Sequence, residues 1–223
     1  RYREATAGAF NPVHPIPAGT SAFSLSPRPR GTGVQPVAPP SGAMGAGPAS
    51  PPPPSTDTRT VTLPPGAFLD LGAVAKGFAL DLAASALREE GVPSALLHGG
   101  SSTILAIGAP PDADAWTIAL DEAEDAPRVR LRDGALSVSS QAGDRPDHVI
   151  DPRTRAPART AASAACLAES GEATDAWATA LLVLGERPPT CPSEMTTVLR
   201  RIGSTTLPRW SIQGPDAHRI TSA

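Results

Sequence analysis

Between Pro27 and Ser55 the chain carries ten prolines and five glycines, ends in the run "SPPPPS", and has Arg28 and Arg30 as its charges. Proline removes a backbone donor and fixes φ, while glycine multiplies the conformations that folding would have to give up. With little apolar surface to bury, such a stretch cannot offset the entropy of ordering its own backbone. Residues 27–57 are therefore expected to form a flexible insertion or linker, with a ligand for a proline-recognising domain as the functional alternative. The folded part of the 223 residues must be smaller than the whole, one large domain or one domain with an appendage.

Beyond the insertion the pattern becomes orderly. "TRTVTLPPGAFLDLG" predicts a strand pair joined at Pro64-Pro65-Gly66, and the following "AVAKGFALDLAASALREEGVP" predicts a helix with Val74, Phe78, Leu82 and Ala86 as its apolar stripe. Gly91 with Val92-Pro93 is its expected stop. Short runs bounded by Gly, Pro or Asp then predict strands: "SALLHGG", "STILAIG", "WTIAL", "RVRLRD", "ALSVSS", "HVID" and "TAASAACLA". A second helix is expected over "GEATDAWATALLVLG", ended by Gly185, then a short helical stretch at "MTTVLRRI" and a hairpin-like "RWSI". Two helices among many strands predict an α+β fold on a largely antiparallel sheet.

Charge narrows the function. The net charge is −3 and the pI about 5.8, with no basic stripe or polybasic run, so no nucleic acid is expected as a partner. No run of about 18 apolar residues occurs, so no transmembrane segment is expected in this sequence. Cys166 and Cys191 lie far apart with no CxxC, and are expected to be inert buried thiols. The chain opens on Arg1, so a leader or lipid anchor upstream would decide the compartment, which stays open between cytoplasmic and periplasmic or membrane-anchored.

Four places carry chemistry. Asp175 and Thr179 stand four apart on the second helix, so a carboxylate and a hydroxyl share one face one turn apart. Such hard oxygen donors suit Mg²⁺, although a solvated helix face carries the same pair by chance; the apolar "ALLVLG" around them weakens that second reading. Asp70 precedes a Gly-containing turn into the first helix with Lys76 on its first turn, a lead-in that offers free N–H groups and a cation to an anion; the alternative is a cap and a snorkelling lysine. "HGGSS" at 98–102 ends a strand in paired glycines that let a backbone approach a ligand, or that simply make a tight turn. His148 stands with Asp close by, and an imidazole ordinarily exchanges a proton near neutrality; His98 beside the glycines is the other candidate, and a structural histidine is the alternative for either.

Taken in order, "LDLGAVAKGFALD", "HGGSS", "HVIDPRT" and "TDAWATALLVLG" resemble the ApbE family of FAD:protein FMN transferases, and "GAFNPVHPI" at 8–16 is similar to that family's upstream segment. The resemblance runs from about Phe68 to Gly185. It implies a single T-fold-like α+β domain, with residues 1–26 as its N-terminal part, 27–57 as the insertion and 58–223 as the main body, and with the family's first strands missing from this sequence. It further implies Mg²⁺-dependent transfer of FMN from FAD to a Thr or Ser hydroxyl of an acceptor protein, with release of AMP. By position, the carbonyl of Ala73 and the side chains of Asp175 and Thr179 would hold Mg²⁺. Asp70 and Lys76 would contact FAD, and Ala9, Phe10 and Asn11 would line its cleft. His148 would lie against the reacting phosphate as the base for the acceptor hydroxyl. A non-catalytic flavin-binding module and an Mg²⁺-dependent FAD pyrophosphatase remain the alternatives. Asn11 replaces the family's Asp, and Arg155 replaces the Gly that follows its His-x-x-Asp-Pro-x-Thr. If position 155 requires φ > 0, the corner there is expected to be strained.

Overall fold

The computed structural model describes residues 2–11, 13–15, 63, 65–122, 126–141, 147–202 and 210–221. Contacts divide the chain into a main unit, Arg1–His14 with Leu69–Ala223, and a second unit, Pro15–Phe68. The insertion expected at 27–57 lies outside the described residues, as does the first strand of the pair expected before Pro64. What is described of the second unit is chiefly the turn at Pro65 and Gly66 and the start of a short strand.

In chain order the elements begin with α1 (Tyr2–Ala5), β1 (Val13–Pro15), β2 (Ala67–Leu69) and α2 (Ala75–Glu89). Strands β3 (Ala95–Gly99), β4 (Thr103–Ile107), β5 (Trp116–Ala119), β6 (Arg128–Leu131) and β7 (Gly134–Ser140) follow. The two-residue β8 (Ile150–Asp151) and β9 (Ala156–Pro157) precede β10 (Ala161–Ala168), α3 (Gly171–Leu184), β11 (Thr196–Arg201), β12 (Trp210–Gln213) and β13 (Ile220–Thr221). The main sheet is six-stranded in the order β12-β11-β10-β7-β4-β3, and every described pairing in it is antiparallel. A second sheet, β13-β6-β5, is antiparallel too.

Alternation along the strands decides what each face of the main sheet covers. On β10, Ala164 and Cys166 point into a cluster with Trp177, Leu181 and Leu182 of α3, whereas Ala165 and Leu167 point into one with Val129 and Leu131 of β6. Helices α2 and α3 thus lie on one face and the small sheet on the other. Trp177, Leu181 and Leu182 are each at most 2% exposed, and burial of each contributes about 2 kcal/mol.

Two sequence expectations need correction. The apolar stripe of α2 does not face the core: Phe78 is 50% and Leu82 59% exposed, while Gly77, Leu80 and Ala84 are buried. The buried face is written in small residues because α2 must come close to α3. A Cβ on Gly77 would stand 1.9 Å from the carbonyl oxygen of Gly171, which leaves room for no side chain. The expected helix at "MTTVLRRI" is instead β11. Met195, Val198, Leu199 and Ile202 do match a helical stripe, but the run Thr196-Thr197-Val198 is β-branched, and β10 and β12 pair with it on both sides. Strand pairing with distant segments overrides the local period.

The expected helix ends hold. Gly91 (φ 76°) and Gly185 (φ 73°) are left-handed, and the Gly185 N–H donates to the Leu181 carbonyl at 2.8 Å. Ser170 caps α3 by accepting the Ala173 N–H at 3.2 Å, a contact worth about 1 kcal/mol. Asp81 of α2 completes that end from outside the helix, its carboxylate accepting the N–H of Gly171 at 2.7 Å, the N–H of Glu172 at 3.0 Å and the Ser170 hydroxyl at 2.9 Å.

Cys166 and Cys191 are free and buried, and burial pushes both thiols up from the ordinary range. An aromatic disulfide reagent is therefore expected to find no fast thiol in the native protein and two after denaturation. Gly77→Ala is expected to cost about 3 kcal/mol or more in denaturant unfolding, because backbone rather than a movable side chain blocks the new methyl; an unchanged midpoint would contradict the close crossing.

Candidate functional site

The site grows from the crossing of α2 and α3. Asp175 lies one turn into α3, on the face turned to α2 and the main sheet, and is 3% exposed. Leaving a carboxylate there without partners would be costly. Its Oδ2 accepts the Gly77 N–H at 3.3 Å, and its Oδ1 accepts the Thr103 hydroxyl at 3.3 Å and pairs with Lys76 Nζ at 3.1 Å. The ammonium also donates to the Gly72 carbonyl at 2.8 Å, in the turn that leads into α2. The carboxylate of Asp70 shapes that turn by accepting the Gly72 N–H at 2.8 Å.

Behind Asp175 runs a buried set of hydroxyls. Ser137 donates to Thr103 at 3.4 Å and contacts the Thr174 hydroxyl at 3.0 Å, and Thr174 donates to the Gly171 carbonyl at 3.0 Å. One turn beyond Asp175, Thr179 donates to the Asp175 carbonyl at 3.3 Å and meets the Ser139 hydroxyl at 3.1 Å. The sequence reading did not single out Thr103, Ser137 or Ser139. The signal was present as alternation, since hydroxyls at Ser137 and Ser139 recur with period two on β7, but only the antiparallel register with β4 reveals that Thr103 faces Ser137.

Gly99, at the end of β3, serves a neighbouring side chain. A Cβ on Gly99 would stand 3.3 Å from Lys76 Cβ, so the missing side chain leaves room for the root of Lys76. The structure thereby brings Lys76, Asp175 and the turn carrying Ala73 together. Ala9 and Phe10 are 2% and 6% exposed and belong, with Ala73, Val74 and Val149, to the apolar cluster around α3. Their side chains are buried in that cluster, and Asn11, next in the chain, is half-buried.

His148 is exposed and precedes β8, so the strand expected over "HVID" covers only Ile150–Asp151. Its corner is firmly built nonetheless. Gln141, another residue the sequence reading passed over, donates its amide to the carbonyls of Val149 at 3.1 Å and Ala158 at 2.9 Å. Asp151 accepts Arg153 through the backbone N–H and Nε, both at 2.9 Å, and through Nη2 at 2.7 Å. Those hydrogen bonds hold the Asp151 carboxyl below its ordinary range. Because the folded pKa is lowered, the contribution is present at neutral pH and is lost as pH falls through the lowered value.

Among the described residues no three of His, Cys, Asp and Glu cluster as a metal site. A cation here would instead take one carboxylate, one hydroxyl and backbone carbonyls, a donor set that suits Mg²⁺. The position of Lys76 Nζ supports this fit, since a positive charge already lies between a carbonyl and the Asp175 carboxylate. A separate cavity of about 830 Å³ beside the start of α3 contains none of these residues. Asp133, Glu169, Glu172 and Glu194 line it, and its Arg219 pairs with Asp216 at 3.0 Å, so it suits an anionic dinucleotide poorly.

A model described as the ApbE family matches residues 41–190. A curated FAD:protein FMN transferase of Rhodobacter capsulatus is 38% identical over 144 residues, which are 59% of this chain and 27% of that protein. Among solved structures, the ApbE protein of Thermotoga maritima aligns with a TM-score of 0.56 at 24% identity, over 69% of this chain and 53% of its own. The flavin transferase ApbE of Vibrio cholerae aligns with a TM-score of 0.54 at 22% identity, over 70% and 56% respectively. The chain thus spans about half the length of these structures and about a quarter of the curated relative.

Arg155 has φ 61°, the left-handed conformation suspected from the sequence. Relief of that strain, about 1–2 kcal/mol, outweighs the extra freedom glycine gives the unfolded chain, so Arg155→Gly is expected to stabilise the protein by about 0.5–1 kcal/mol. Thermal melting of the two forms checks this, and a lower midpoint for the glycine variant would give Arg155 a role of its own.

Proposed function

The chain belongs to the ApbE family, and on that footing we propose that it is an FAD:protein FMN transferase. It moves FMN from FAD onto a Thr or Ser hydroxyl of an acceptor protein. Residues 1–26 and 58–223 form the ApbE-like domain in this reading, and 27–57 an insertion. The observation that carries it is the oxygen-lined cation position at the crossing of α2 and α3, where Lys76 Nζ and Asp175 Oδ1 stand 3.1 Å apart.

In the proposed reaction the acceptor hydroxyl attacks the phosphorus bearing the riboflavin group. The bond from that phosphorus to the oxygen of the AMP phosphate breaks, and AMP leaves with the bonding electrons. The hydroxyl proton passes to the imidazole of His148. Asp175, Thr179 and the Ala73 carbonyl would hold Mg²⁺, which supplies charge neutralisation at the pyrophosphate. Lys76, with 35% of its side chain exposed, can turn outward to a phosphate oxygen, and Asp70 fixes the turn beneath it. Ala9 and Phe10 support the flavin-adenine cleft from below, with Asn11 the nearest of the three to solvent. Positioning and electrostatics suffice for such a transfer, because little covalent help is needed from the protein.

Incubation with FAD, Mg²⁺ and an acceptor domain carrying a candidate Thr is the direct test, read by the mass of the acceptor and by released AMP. Covalent flavin on the acceptor is the expected result. Free FMN with AMP would replace this reading by a pyrophosphatase, and bound unchanged FAD by a flavin-binding module. Asp175→Asn and Thr179→Val, which keep size and shape, are each expected to lower transfer by about 100-fold or more; unchanged rates in folded variants would remove the metal assignment.

A further inference from the structure

We infer that Lys76 is a built-in counter-ion that the divalent cation must displace, so that ammonium and metal alternate on Asp175. The inference rests on the cation site of the proposed function and concerns what occupies that site before the metal does. Asp175 is 3% exposed, and each of its oxygens has a protein donor. Gly77 and Thr103 are fixed donors, one a backbone N–H on α2 and the other a hydroxyl on a central strand. Lys76 is the movable one. Its root is wedged against Gly99 and its stem runs to the interior, yet the side chain is 35% exposed.

The ammonium takes the same kind of donors a hard cation takes. It bridges the Gly72 carbonyl at 2.8 Å and Asp175 Oδ1 at 3.1 Å, the carboxylate of one helix and the carbonyl turn of the other. Two positive charges cannot share that Oδ1 at contact distance without strong repulsion in a site so little hydrated. Without either charge, the carboxylate would be buried and uncompensated. One cation must therefore be there, and the two exclude each other. An anionic ligand above the site resolves the competition by giving the displaced ammonium a new partner, which makes metal and anion binding mutually reinforcing.

The coupling sets the sign of a substitution that would otherwise be taken only as loss of a ligand contact. Lys76→Met removes the competing charge while keeping a long, helix-compatible side chain. If the free carboxylate is exposed to metal about a tenth of the time in the parent protein, its removal tightens metal binding about tenfold. The metal-free variant is also expected to melt at lower temperature than the parent and to recover more on addition of metal.

The test is Mn²⁺ binding to the full chain without FAD, followed by the free Mn²⁺ signal in electron paramagnetic resonance and by thermal melting. Tighter Mn²⁺ binding and a larger metal-induced rise in midpoint for Lys76→Met support the exchange. Equal or weaker binding in a folded variant overturns it. Lys76→Arg, which keeps the charge, is expected to bind Mn²⁺ no more tightly than the parent, and tightening there would overturn the charge argument. Adding Asp175→Asn to Lys76→Met should abolish the gain; a gain that persists places the metal elsewhere and overturns the inference. Absence of FMN transfer by the parent alongside Mn²⁺ competition would sink the proposed function and spare this inference. Transfer without competition would do the reverse.

Discussion

The contact between Gly77 and Gly171 sets the distance on which everything around the candidate site depends. It lets α2 and α3 meet through their backbones, and only at that separation can the Gly77 N–H reach the Asp175 carboxylate at 3.3 Å. The same approach carries Asp81 to the first N–H groups of α3, where its charge meets the positive end of the helix dipole. Asp175 is therefore held from α2 on one side and from β4 on the other, by Gly77 and Thr103. Under the proposed function, a carboxylate so oriented would be ready for a metal ion before one arrives.

Much of this was legible in the sequence where the signal was local. The Gly stops at 91 and 185, the antiparallel strands and the pairing of Asp175 with Thr179 on one helical face all follow from spacing and residue type. Arg155 was legible in a different way, as a side chain where the similar family has glycine, and its φ of 61° bears that suspicion out. The unread part depends on partners far along the chain. Thr103 and Ser137 are separated by 34 residues and gain meaning only from strand register, and Gly77 shows its role only against Gly171. The misread stripe on α2 has the same origin, since hydrophobicity does not count the small residues that permit a close crossing.

The corner at 148–157 divides its labour. Asp151 and Arg153 lock the backbone through three hydrogen bonds, Gln141 fastens it to the end of β7, and Val149 anchors it in the apolar cluster. His148 stands just outside that lock, exposed at its edge. In the proposed transfer, a base that meets a hydroxyl from another molecule would need such a place, rigidly rooted and at the surface.

The hydroxyls behind Asp175 hold one further implication, which emerges from counting protons. Thr103, Ser137 and Thr174 own one hydroxyl proton each, three in all, yet they take part in four contacts: Asp175 with Thr103, Thr103 with Ser137, Ser137 with Thr174, and Thr174 with the Gly171 carbonyl. One contact must always go without a proton. With Asp175 ionised, the Thr103 proton points to the carboxylate and Thr174 turns to Gly171, so the single Ser137 proton serves either Thr103 at 3.4 Å or Thr174 at 3.0 Å, and the vacancy falls on the other contact. The carboxylate and the Gly171 carbonyl thus orient the two threonines from opposite ends, and Ser137 between them is the one hydroxyl left a choice of partner.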